Sequence, residues 1–259
     1  MSKRTRRQFS KLIIRKRNRM EVRCRRIAFE ALKKQYLQVI NSISLVPIDS
    51  LAEVSANLVT EEPVKKFMLE CYGMTGAIAV DYRLYAIGQK SDELIWENTF
   101  EDTMRHYALT AAGSRISSIT ATSEKYIRGA VESAIEYART EGLGVIQTRK
   151  LIEEYLYESL GSIGKSRAKM IAQTELISAS NIASQEGIKS TGLEYRKFWS
   201  TSGLAGIRES HIQAQEDSIA VGGLQEDELF SNGLAFPGDP SGPAEEVINC
   251  RCICEYEML

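Results

Sequence analysis

Histidine and tryptophan each occur only twice in 259 residues, and proline and cysteine five times each. Two histidines leave little room for metal-rich chemistry. Five cysteines exclude a disulfide-stapled scaffold, which uses far more cysteine per residue. Long apolar runs are missing too. None approaches the roughly 20 residues a membrane-spanning helix needs, and no apolar segment follows the basic start, so neither a membrane span nor secretion is expected. What is present is ordinary globular composition, 43% apolar and 26% charged, which argues against wholesale disorder. The length suits one large domain or two modest ones.

The net charge of −1 conceals an asymmetry. Residues 1–34 hold fourteen Lys/Arg against two acids, Glu21 and Glu30, for +12; the remaining 19 basic and 32 acidic residues give −13. A basic arm on an acidic body points to a separate partner for the arm. The simplest is a nucleic-acid phosphate backbone, where each neutralised phosphate releases a counterion; a targeting signal or an acidic protein surface is the alternative. The candidate DNA contacts are Lys3, Arg4, Arg6, Arg7, Lys11, Arg15, Lys16, Arg17, Arg19, Arg23, Arg25 and Arg26. Only Phe9 and Phe29 are aromatic here, which favours sequence-blind phosphate contact over base stacking.

Periodicity predicts a mostly helical N-terminal region followed by a small α+β C-terminal domain with a short sheet. The division expected is a basic helical arm over 1–45, a helical region over 46–160 and an α+β domain over 161–259. In the arm, apolar residues from Phe9 to Ile40 recur at spacings of three, four and seven. Charge repulsion would destabilise residues 1–20 alone, so they are expected to order against a partner. Thr60-Glu61-Glu62-Pro63 reads as a helix start, as do Ser91-Asp92 and Thr122-Ser123-Glu124. Helices are expected over 147–160 and 165–187. After Gly192, strands are expected at 195–201, 218–221 and 249–258, with a short helix at 206–215. The last strand alternates, with Cys250, Cys252, Cys254, Tyr256 and Met258 on one face.

Several motifs carry two readings. Gly161-Ser-Ile-Gly164-Lys165-Ser166 lacks the first glycine of a phosphate-binding loop, whose place Ser159 takes. It reads either as a DNA-binding helix-hairpin-helix turn or as a plain turn between packed helices. Cys250 and Cys252, with His211, are candidate zinc ligands; Cys254 lies too far along an extended strand to share the ion. The other reading is three small thiols on a buried strand face. No glycine-framed nucleophile or paired carboxylate accompanies His211 or His106. No catalytic centre is therefore expected, and His211 reads as pinning its helix to the terminal strand, with Arg208 on the same face. Trp199 reads as a core aromatic.

Taken together, the residues of the tail resemble a known family. Arg167, Ala172, Thr174-Glu175, Asn181, Trp199, Arg208, His211, Phe230, Pro237-Gly-Asp and Asn249-Cys250-Arg-Cys252 occur in the order found in the Mu F-like, or SPP1-type head morphogenesis, domain of phage minor head proteins. The resemblance covers about residues 160–259. It implies a viral structural protein of the virion, a minor head protein in few copies in the capsid interior near the portal vertex, assembled in the host cytoplasm. Implied partners are the phage portal protein, packaged double-stranded DNA, and scaffold or major capsid protein. The implied roles are structural for Arg167, Thr174, Glu175, Trp199, Arg208, His211, Asn249, Cys250 and Cys252. The competing readings are a cellular DNA-binding protein and a nuclease or metal-dependent hydrolase centred on His211 and the cysteines.

Overall fold

A computed structural model describes residues 3–87, 93–110, 113–203 and 206–259. The protein is mostly helical, with a two-stranded antiparallel sheet near its C-terminus. In chain order the elements are α1 (Lys3–Ile40), α2 (Ile48–Leu58), α3 (Glu62–Ile87), α4 (Glu93–Leu109), α5 (Gly113–Thr140), α6 (Val145–Ser159), α7 (Lys165–Lys189), β1 (Tyr195–Ser200), α8 (Glu209–Ala220), α9 (Ala244–Val247) and β2 (Ile253–Met258). The helix start expected at Ser91-Asp92 lies outside the described residues.

The chain forms two compact units that interleave along the sequence. One comprises Met1–Cys24, Leu69–Ala111 and Ala172–Leu259, the other Arg25–Met68 and Ala112–Ile171. The linear division at 45 and 160 therefore does not follow compact units: Met1–Cys24 of the basic segment belongs to the same unit as the C-terminal sheet, and Arg25 onward to the other.

The second unit is a helical cluster. Its core gathers Tyr36, Val39, Leu51, Ile127, Val131, Ile152 and Leu156. The α5 helix does not start at Thr122. Its buried stripe of Ile116, Thr120, Ser123, Ile127, Val131 and Ala134 runs through that point at helical spacing. The Thr122 and Ser123 hydroxyls donate back to the carbonyls of Ser118 and Ile119, four residues earlier, instead of capping a new helix. The glycine pair at 161 and 164 makes no turn of either expected kind. Leu160–Gly164 is a π-helical segment joining α6 to α7 with helical backbone at Ser159 and Lys165. No loop of free amides is formed there, so the hairpin reading is not met.

In the first unit, β1 and β2 pair antiparallel with Trp199 opposite Cys254 and Lys197 opposite Tyr256. Phe9 of α1 stacks on Tyr85 at 4.0 Å between ring centroids and meets Tyr82 edge-on at 4.9 Å. Tyr82 in turn meets Tyr256, which meets Tyr195. This aromatic chain seats α1 and α3 on the sheet. The expected strand at 218–221 is absent. Ser218 falls seven residues after His211 on the buried face of α8, and that face continues the helix to Ala220. Its hydroxyl accepts the Trp199 N–H at 3.2 Å.

A Cβ on Gly187 of α7 would collide with the backbone carbonyl of Ala79 in α3. A backbone atom has no rotamer to escape into, so overpacking here is expensive. Gly187→Ala is expected to lower stability by about 3 kcal/mol or more, measured by chemical denaturation. A change below about 0.5 kcal/mol would mean that the two helices are not in contact at this point.

Candidate metal centre and motif cluster

The tail's motif residues meet in the first unit. Arg208 stands immediately before α8 and donates through Nη2 to the Ile248 carbonyl at 2.6 Å. One turn on, His211 is buried, its ring 4.9 Å from that of Trp199. Trp199 also meets Phe230 at 5.1 Å, so its indole is a core wall, as its sequence context suggests.

The segment before β2 supplies the thiols. Asn249 takes a positive φ of 59°, a conformation asparagine tolerates better than most residues. Its N–H donates to Thr174 Oγ1 at 3.1 Å, and the Cys250 N–H donates to the Val247 carbonyl. Cys250 and Cys252 precede β2 and are not part of its ladder. That turn lets both sulfurs approach one ring atom: His211 Nδ1 lies 3.8 Å from Cys250 Sγ and 3.5 Å from Cys252 Sγ. Cys254 sits on the strand, outside this group, and burial lifts its thiol to about 11.

The two thiols are not equivalent. The hydrogen bond from Cys252 draws Cys250 down to about 5, with His211 adding to the effect and burial opposing it. The same bond and burial push Cys252 up. Of the coupled pair, Cys250 is the more acidic thiol. Arg17 of α1, itself buried, adds a positive charge near both sulfurs and donates to the Arg251 carbonyl at 3.2 Å. Burial lowers its guanidinium to about 10, within the range where it stays charged near neutral pH. On the far side of the imidazole, Nε2 is 2.9 Å from Glu246 Oε2, off the line of a straight hydrogen bond. Ser210 Oγ donates to the same carboxylate. Nothing in the sequence singles out Glu246, which reads as an ordinary acid in the first turn of a short helix.

Asn181 of α7 holds this centre from behind. Its Nδ2 donates to the Pro237 carbonyl at 2.7 Å and to that of Cys252 at 3.4 Å, while Oδ1 accepts the Cys254 N–H at 2.9 Å. Glu175 accepts from the Tyr72 hydroxyl at 3.2 Å. Arg167 lies in the other unit, where it donates to Ser123 Oγ and the Ile119 carbonyl.

The basic candidates divide by environment. Arg6 is buried and pairs through Nε with Glu255 at 3.0 Å and through Nη1 with Glu257 at 2.8 Å, its guanidinium 3.7 Å from the centre of the Phe198 ring. Lys16 bonds Asp81 at 2.6 Å and the Ala77 carbonyl. With Arg17, these residues serve the fold and do not present free charge to an external partner. Arg23 is exposed, 3.9 Å from Glu70, Arg25 is half-buried, and Arg26 is exposed. The side chains of Lys3 and Arg4 lie outside the described residues. Arg7, Lys11, Arg15 and Arg19 are all exposed and have no ion-pair partner among the described residues. At four-residue spacing they form a stripe winding slowly along α1, with steps of about 6 Å.

No protein-family model, curated protein or solved structure matches this chain.

Proposed function

We propose that this chain is a phage minor head protein attached at the portal vertex, acting in head morphogenesis and touching packaged DNA through the exposed stripe of α1. One observation carries the reading. Thr174, Asn181, Trp199, Arg208, His211, Phe230, Pro237, Asn249, Cys250 and Cys252, which carry most of the tail's resemblance to that family, gather around one centre, Arg208 through the Ile248 carbonyl, while Arg167 stands in the other unit. Residues scattered through a chain gain nothing from being together unless they build one structure. Here each has a packing or hydrogen-bonding task, which suits a structural protein and not an enzyme. The stripe adds a sequence-blind means of meeting a polyphosphate.

The test of the docking half is co-expression of the tagged chain with the portal protein encoded by the same genome. The two are expected to sediment together as a ring-sized complex. Sedimentation of the chain alone beside intact portal rings, or a genome with no portal, would remove the reading.

The DNA half makes its own prediction. Replacing Arg7, Lys11, Arg15 and Arg19 together by Gln is expected to leave folding within about 0.5 kcal/mol of wild type, because the side chains are exposed. Binding to random-sequence duplex should weaken, and the slope of log affinity against log salt should fall by about 3 to 4, near 0.9 per lost phosphate contact. Unchanged affinity and slope would show that duplex DNA does not lie on this face.

A further inference from the structure

We propose that His211, Cys250 and Cys252 form a binding site for a divalent transition-metal ion, zinc above all, that fastens α8 to the segment leading into β2. The sequence alone favours a second reading, three buried thiols on a strand face. The geometry separates the two. Among the described residues, these three are the group of His, Cys and acidic side chains close enough to share an ion, with all ligand atoms within 4.8 Å of one another. A tetrahedral zinc with Zn–S near 2.3 Å and Zn–N near 2.0–2.1 Å holds its sulfur and nitrogen ligands about 3.6 Å apart. The observed separations are 3.5 and 3.8 Å. Thiols merely filling a core face would each be expected to find separate apolar neighbours. Here both are directed at the same imidazole nitrogen, as a shared ion requires.

The surroundings match in two further respects. A metal-bound imidazole usually hands its other N–H to a carboxylate, and the Glu246 carboxylate stands 2.9 Å from Nε2. Thiolate and imidazole together select zinc and its neighbours over magnesium or calcium, which take oxygen. Binding replaces the thiol protons, which leave to solvent, and gives a Cys2His set of three protein ligands. The three side chains are 1–2% exposed, so a bound ion would exchange slowly and survive purification. Its task is mechanical. It would join α8, whose buried face is only His211, Ala214 and Ser218, to the C-terminal segment by bonds stronger than those contacts. This inference stands apart from the assignment to the portal vertex: an ion here neither requires nor excludes a phage role.

The test is metal analysis of the full-length protein, purified without chelator from zinc-supplemented culture. About one zinc per chain is expected, retained by Cys24→Ser and lost from Cys250→Ser and Cys252→Ser. Glu246→Gln is expected to weaken zinc binding by about 10–100-fold. If the cysteine variants fail to fold, the wild-type protein decides alone. Stripped of metal and titrated with Co2+, it should develop thiolate-to-cobalt charge-transfer absorption, and one equivalent of Zn2+ should abolish it. Folded wild-type protein that holds no zinc and shows no such absorption, or zinc that persists in both cysteine variants, overturns the proposal.

Discussion

Arg6→Met is expected to cost about 3–5 kcal/mol, although Arg6 stands in the most basic part of the chain. The guanidinium is the partner of Glu255, whose side chain is 7% exposed, and it also bonds Glu257 and covers the Phe198 ring. Methionine would fill much of the space but leave a carboxylate buried without its cation, the costly half of a broken ion pair. Removing both charges, as Arg6→Met with Glu255→Leu, should recover much of the loss, since the apolar pair leaves nothing unpaired. Both tryptophans, Trp96 and Trp199, belong to the unit that contains Arg6, so denaturation followed by tryptophan fluorescence reports the relevant transition. A loss within about 0.5 kcal/mol would mean that Arg6 is an exposed arm residue after all.

Asn181→Ala is expected to cost about 3–4 kcal/mol, more than an average core truncation of this size. The amide lies between α7, the Pro237 loop and β2, and it is buried. It serves as a short stand-in for a third strand beside the β2 ladder, accepting the Cys254 N–H and returning N–H donors to the Pro237 and Cys252 carbonyls. Alanine leaves that N–H and the Pro237 carbonyl dry and unpaired, each costing about 1–3 kcal/mol. Asn181→Asp keeps the acceptor and removes the donors, so it should also destabilise strongly. If Asn181→Ala melts like wild type, water reaches these groups and the centre is not closed.

The helices and β1 were legible because apolar periodicity is a local signal, and Tyr195–Thr201 as expected contains Tyr195–Ser200 as found. The meeting of His211 with Cys250 and Cys252 was legible as a pairing of chemical types, and Arg208, just before α8, and His211, on it, both reach the C-terminal segment. What sequence could not supply was contact across long separations. Arg6 and Glu255 are 249 residues apart, and nothing local distinguishes Arg6 from Arg7, its exposed neighbour. The same limit hid Glu246. Two local readings failed for a different reason. Ser218 and Ser123 favour turns or caps by type, yet each lies on a buried helical stripe, and tertiary packing overrides so weak a preference. Gly161 and Gly164 look like turn residues, but a π-helical segment accommodates both without leaving the helix.

For the proposed minor-head role, the most direct measurement is quantitative mass spectrometry of purified, nuclease-treated phage particles produced by cells that carry this gene. The chain is expected in mature particles in a small, fixed number relative to the major capsid protein, and to stay with the portal when particles are disrupted. Its absence from particles, with the protein present only in the infected cell, would contradict the account.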